Sequence, residues 1–266
     1  MKLGIGLSLA NQRFVGGFDP DYQAVLDKGV SNGNTASTST NAGNQLMIDL
    51  KSSGAFAKAD ALGVLASGGG SDSGFALIDW KRLINLTAVN SPAFNNILGF
   101  SGNGNSSYID LVYNPSTDAV NWGINDHSFM AFNNNATAQQ GALISCFDTG
   151  NVFCELANDN PSTRFIVWDN SQTGRTPATP SGEQDGMLEA KRTNASAFQL
   201  YRNGNEISIT DVQTVATPNA DFRLFARSNN SFYGNGQSPF FYIGQALTDT
   251  ERADLLAAVN TYLAEI

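Results

Sequence analysis

Histidine occurs once in 266 residues, which excludes any histidine-rich metal centre. Cysteine occurs twice, too few to say much about the redox compartment. Charged residues are only 15% of the chain, against roughly 25% in an average protein, and no basic cluster occurs. With a net charge of −9, this argues against nucleic acid and anionic membrane surfaces as partners. No apolar run approaches the ~20 residues that span a bilayer, so membrane insertion is not expected. Catalytic signatures are equally scarce. No G-x-S-x-G context exists, and any serine triad would need His127, which lies in the loop-like WGINDHSF and reads as a surface turn.

Gly, Asn, Ser and Thr carry the polarity instead, as suits short strands joined by tight turns, and 41% hydrophobic residues suffice for a sizeable core. The N-terminal run alternates Leu3, Ile5, Leu7 and Leu9. Gly4, Gly6 and Ser8 interrupt it and Arg13 follows, so it reads as an extended assembly arm over 1–18 rather than a signal peptide. A small helical segment is expected over 19–60. Asp19 caps its first helix, Pro20 takes the first position, and Tyr22, Val25 and Leu26 form the inner face. A second helix runs over Gln45–Ser53, with Gly54 just beyond its end.

From Ala61 onward the period shortens to that of strands, among them ALGVLAS, FALIDW, GALISCFDTGNVFCEL, STRFIVWDN and FRLFARS. About a dozen strands at intervals of 8–12 residues are the pattern of a sandwich or jelly roll. Asn203-Gly204 is the clearest hairpin signal, since this pair readily takes the two positive φ angles of a type I′ turn. Cys146 and Cys154 flank another hairpin. A two-residue turn at Thr149–Gly150 would place their sulfurs on opposite faces, and only a three-residue loop would bring them together, so buried free thiols are expected. The strand FFYIG leads into a helix at 248–265, where Thr248 and Glu251 spell a capping box and Leu255, Leu256, Val259, Tyr262 and Leu263 form one apolar stripe. The expected fold is mainly β: an antiparallel sandwich over 61–266, with a short N-terminal helical pair and a C-terminal capping helix.

The hairpin YRNG, the run FYIGQALTDTE and the helix ending NTYL resemble the last third of concanavalin A-like lectin/glucanase domains of the laminin-G/pentraxin type. GLSLANQRFVGGFDPDYQAVLD, QLMIDLKSSGAFAKADAL and FSGNGNSSYIDLVYNPSTD are similar to proteins of bacteriophages and prophages, especially those of Bacteroidetes-type hosts. The resemblance implies a non-enzymatic virion component: a capsid decoration, head fibre or tail fibre. Such a protein is made in the bacterial cytoplasm, assembles with itself (a trimer would suit a fibre) and with other virion proteins, and adheres to host-surface glycans. None of the resembling residues is catalytic.

A sugar site needs an exposed aromatic plane beside amides and carboxylates. Trp122 with Asn125, Asp126 and His127 is one such set; Asn229, Asn230, Phe232 and Tyr233 are another. The bland alternative is that Trp122 and Phe232 simply pack, as Trp80 and Trp168 do in apolar strands. Glu183, Asp185 and Glu189 are the nearest text to a glycosidase cluster. Four positions on a strand separate Asp185 from Glu189 by ~13 Å, too far for the ~5–5.5 Å of a retaining pair. No cofactor is expected. Calcium is the metal with donors to hand, at Asp72, Asp159-Asn160 and Asp169-Asn170, although no EF-type spacing occurs. Two other functions compete with the virion role: a secreted or cell-surface carbohydrate-binding module, which would lose glycan binding on Trp122→Ala, and a glycoside hydrolase, which would lose activity on Glu183→Gln or Glu189→Gln.

Overall fold

The computed structural model describes residues 17–35, 39–67, 72–134, 141–148, 152–160, 164–171, 185–211 and 213–266, with only the backbone described at 158–160, 164–171 and 208–211. The assembly-arm residues Leu3, Ile5, Leu7 and Leu9, and Glu183, lie outside the described residues.

Two six-stranded antiparallel sheets make the body. The first has the order β1-β15-β6-β10-β11-β12, from Ala59–Val64, Phe240–Gly244, His127–Asn133, Gly186–Arg192, Ala197–Arg202 and Asn205–Asp211. The second has the order β2-β5-β13-β7-β8-β9, from Thr87–Val89, Tyr108–Asp110, Arg223–Leu224, Gly141–Phe147, Phe153–Asn160 and Arg164–Ser171. A small third sheet joins β3 (Ala93–Asn95), β4 (Gly99–Ser101) and β14 (Gln237–Ser238). Alternation along the strands sends Ile109, Phe129, Ile144, Leu156, Leu188, Leu224 and Phe241 into one core. The expected antiparallel β-sandwich is therefore the fold. FALIDW departs from the expected strand: Phe75–Leu77 forms a single 3-10 turn.

The second core lies outside the first sheet. Helices α1 (Pro20–Ser31), α2 (Thr40–Ser52), α3 (Ala55–Lys58) and α4 (Asp249–Glu265) cover that face. Tyr22, Val25, Leu46, Leu50, Leu255 and Val259 pack there on Leu62, Val64, Met130 and Tyr242. The local signals behave as expected. Asp19 accepts from the Asp21 amide, Pro20 opens α1, and Gly54 takes φ 83° past the end of α2. The second helix starts at Thr40 rather than Gln45, because Ala42 and Asn44 are also buried under it. Thr248 and Glu251 complete the capping box, and Val259 is buried while Leu256 packs at the margin. In the β11–β12 hairpin, Asn203 has φ 48° and Gly204 φ 79°, the two positive angles of a type I′ turn.

The β7–β8 hairpin corrects the expected register. Phe147 pairs with Phe153, so Cys146 lies directly opposite Cys154 and both sulfurs face the core. The longer connection, not a two-residue turn, sets that register. Both cysteines are buried thiols outside any disulfide, and burial pushes the Cys146 thiol well above its ordinary pKa.

Five of the seven tyrosines are held neutral by burial. Tyr201 is pushed up to about 12, and Tyr22, Tyr113, Tyr242 and Tyr262 are raised as well. An unfolded tyrosine ionises near pH ~10. A raised folded-state pKa therefore contributes stability that is complete below pH ~10 and is lost as pH climbs through the folded values. Tyrosinate absorbance should rise at lower pH in urea than in buffer, and the late step in buffer should coincide with loss of circular dichroism. Full tyrosine titration near pH ~10 with the fold intact would contradict this burial.

Candidate functional site

The helices occupy the outer face of the first sheet, whereas among the described residues no helix covers the outer face of the second. Strand register lays one row of polar side chains across that open face. Thr87 pairs with Asp110, Asp110 with Arg223, Arg223 with Ser145, and Ser145 with Glu155. The alternate positions, Ile109, Leu224, Ile144 and Leu156, point into the core. The outer end of the row, at Thr87, reaches solvent, whereas Ser145 and Glu155 are buried, with Arg227 bonded over the Glu155 carboxylate.

Two arginines organise this row. Arg223 donates Nε to Asp110 at 3.2 Å and Nη1 to the Asn230 carbonyl oxygen Oδ1 at 2.8 Å. Its guanidinium lies 4.4 Å above the Tyr108 ring, and Tyr108 neighbours Tyr233 at 6.4 Å. Arg227 makes a two-point ion pair with Glu155, at 2.7 and 2.8 Å, and Ser145 donates to the same carboxylate at 2.9 Å. The Arg227 guanidinium sits over both Phe232, at 4.5 Å, and Phe147, at 5.2 Å. Planar guanidinium groups suit both stacking and forked hydrogen bonding, which lysine could not supply. Two cations and two carboxylates leave the strip electrically balanced.

The loop beside the strip is strained. Phe225, Asn230 and Phe232 have φ of 68°, 58° and 50°, and such angles cost about 1–3 kcal/mol each for a residue other than glycine. Backbone bonds hold it closed: the Ala142 amide donates to Phe232, the Gly234 amide to Phe225, and the Phe225 amide to Leu143. The strain presents Asn229 and Asn230 to solvent and leaves the Phe232 and Tyr233 rings half-exposed. Just beyond, burial and repulsion from Asp110 and Asp118 push the Asp221 carboxyl above the ordinary range. Together these groups offer guanidinium, amide and carboxylate atoms beside aromatic rings.

One of the two aromatic sets read from the sequence is thus on this face. Asn230 and Tyr233 sit in the strip, joined by Asp110, Arg223, Arg227, Glu155, Tyr108 and Phe147, which the sequence reading missed. A visible trace existed: Ser145 and Glu155 are polar positions inside apolar strands, and Arg223 and Arg227 are four apart in FRLFARS.

The other set is structural. Trp122 and His127 stack at 3.9 Å with their planes 11° apart, and Phe222 meets the indole edge-on. His127 is fully buried as the first residue of β6, with Nδ1 2.7 Å from the Gly123 carbonyl oxygen, so it is not a surface turn. With 7% of its surface exposed, Trp122 offers no ring to a sugar. Asp126 and Asn125 are tied to Gln245 and Thr214.

The carboxylate text divides similarly. Glu189 is buried beneath α4, where it pairs with Arg252 and accepts from Ser128, while Asp185 is exposed. Trp80 is buried in the core, and the Trp168 side chain lies outside the described residues. Of the calcium donors, Asp72 accepts from the amides of Gly74, Phe75 and Thr35. The side chains of Asp159, Asn160, Asp169 and Asn170 are outside the described residues. Among the described residues no three His, Cys, Asp or Glu side chains gather as a metal cluster would require.

No family model matches the sequence, and no curated protein matches it. Solved structures do. A Trypanosoma rangeli sialidase in complex with sialic acid is similar over 76% of this chain and 33% of that one, at 10% identity and a TM-score of 0.56. The botulinum neurotoxin serotype G binding domain is similar over 75% of this chain and 50% of its own, at 14% identity and 0.54. The serotype D binding domain is similar over 76% and 52%, at 11% identity and 0.53. The chain thus spans about half of the toxin binding domains. At these identities the likeness shows the fold alone, an antiparallel β-sandwich.

Proposed function

We propose that this chain is a non-catalytic carbohydrate-binding domain that holds a glycan on the open face of the second sheet. The observation that carries this reading is the strip in which Arg223 and Arg227, each fixed by a carboxylate and an aromatic ring, stand beside Asn230, Phe232 and Tyr233. Prepositioned guanidinium and amide donors suit adjacent sugar hydroxyls, and half-exposed rings suit the C–H face of a pyranose. Neighbours that share the fold include a sialidase solved with sialic acid, and lectin-like sandwiches host binding as readily as catalysis. The non-catalytic part is supported by Glu189, whose carboxylate is committed to Arg252 under a helix.

A glycan array with the purified chain tests the reading, followed by calorimetric titration of the best hit. Tyr233→Ala and Asn230→Ala should each weaken binding roughly tenfold, equivalent to about 1.4 kcal/mol. Trp122→Ala is uninformative for binding, since it opens the core. Arg227→Ala is avoided for the same reason, because it would strand the buried Glu155. An array without hits, or hits indifferent to both variants, would remove the proposal. Release of reducing sugar by the wild type would remove its non-catalytic part.

The virion role is a second, finer reading, supported by the phage-like runs at 6–27, 45–62 and 100–118. On that reading the protein assembles with itself and with virion partners through Leu3, Ile5, Leu7 and Leu9, and glycan contact is adhesion to the host. Unchanged oligomer size and particle incorporation after deletion of residues 1–15 would dismiss the arm.

A further inference from the structure

A shallow open cleft of about 470 Å³ lies on the helix side of the first sheet. Phe132 from β6, Asn134 just after it, Asp185 before β10, Asn260 of α4 and Leu98 of the β3–β4 turn line it. Its size lies in the range of small-molecule sites. We propose that this cleft is a separate binding site for a neutral sugar ring. The inference does not rest on the open-face reading, and the two sites belong to different sheets.

Three observations support it. The side chains of Asn134, Asp185 and Asn260 make no hydrogen bond or ion pair among the described residues, although they line one concavity. Two amides and a carboxylate can together donate to and accept from hydroxyl groups, while Phe132 and Leu98 supply an apolar wall. Leu98 is 41% exposed, which leaves the apolar wall open to a ligand.

The floor is also rigid. Asn203 receives the Met187 amide on Oδ1 at 2.9 Å, and its own amide donates back to the Met187 carbonyl at 2.8 Å. Gly186 closes the junction with φ 107°, and a Cβ there would lie 2.0 Å from Asn203 Oδ1. The positive φ favours glycine, and the Asn203 side chain, fixed by the Met187 amide, fills the space a Cβ would need. A single carboxylate and no cation in the lining argue for a neutral polyol rather than an anionic sugar.

The probes are free glucose, galactose, N-acetylglucosamine and fucose, observed by saturation-transfer NMR on the full chain. At least one should show transfer, weakened roughly tenfold in Asn134→Ala and in Asn260→Ala, and abolished by Asn260→Trp, which fills the cleft from an exposed helix position without touching the core. Tyr233→Ala should leave that signal unchanged. Transfer that survives all three cleft variants, or that disappears only with Tyr233→Ala, overturns the cleft and leaves the open-face site standing. Absence of transfer from every sugar overturns the cleft too, whereas the open-face site is judged independently by the array.

Discussion

Arg252→Ala should cost about 3–5 kcal/mol of folding stability, read as a lower urea midpoint with an unchanged slope. Arg252 is the one cation of the terminal helix and is buried: 4% of its side chain is exposed, against 2% for its partner Glu189. Its guanidinium lies 3.5 Å from the Tyr201 ring centre, and Nη1 donates to Asp249 at 2.8 Å. Burial alone would disfavour its charge, but the Glu189 carboxylate and the bonds to Glu189 and Asp249 outweigh that and raise its pKa. Lys191, close by, is lowered by burial and by repulsion from Arg252. Removing the arginine strands a carboxylate between helix and sheet. Two companions separate this cause from simple loss of packing. Glu189→Gln added to Arg252→Ala should recover part of the loss, and Glu189→Leu with Arg252→Met should come within about 1 kcal/mol of wild type. If Arg252→Ala is as stable as wild type, the ion pair does not fasten the helix.

Asp60→Ala should be nearly as damaging, at about 3 kcal/mol or more. Asp60 is the second residue of β1 and is buried, yet its carboxylate accepts four hydrogen bonds. They come from the amides of Val120, Asn121 and Trp122, at 3.2, 2.8 and 2.8 Å, and from the Tyr113 hydroxyl at 2.9 Å. This one side chain pins the loop that delivers Trp122 onto the core. Alanine leaves three amides and a hydroxyl without partners, each of which costs about 1–3 kcal/mol if it stays dry. The loop should instead detach, and Trp122 fluorescence should shift to the red in the folded variant. Asp60→Asn keeps one carbonyl acceptor and should lose roughly half as much. A blue, unshifted Trp122 emission in Asp60→Ala would show that the stack with His127 holds the loop by itself.

Both networks were invisible in the sequence for one reason. Glu189 and Arg252 are 63 positions apart, and Asp60 reaches its loop over 60 to 62. The open-face strip is no different, since Asp110 meets Arg223 across 113 positions and Glu155 meets Arg227 across 72. Asn230 and Tyr233 could be singled out because amides and aromatics were adjacent there; their arginine and carboxylate partners were not. Trp122 and His127 misled for the converse reason. Adjacent polar residues look like a surface loop, but Asp60 satisfies the backbone and lets both rings turn inward.

What the sequence determined alone is what a few neighbouring residues can cause. Thr248 with Glu251 fixed a helix start, Asn203-Gly204 a type I′ turn, Asp19-Pro20 another helix start, and two-residue alternation a sandwich of strands. These are short-range hydrogen bonds and dihedral preferences, complete within a turn of chain. Register was already beyond reach: the true length of one hairpin connection placed Cys146 against Cys154. Only the tertiary structure decided which sheet face stayed open, which charges were sealed under α4, and which amides met across the cleft. Those outcomes depend on the relative placement of distant strands, and strand pairing is set by the burial of both cores together rather than by any local segment.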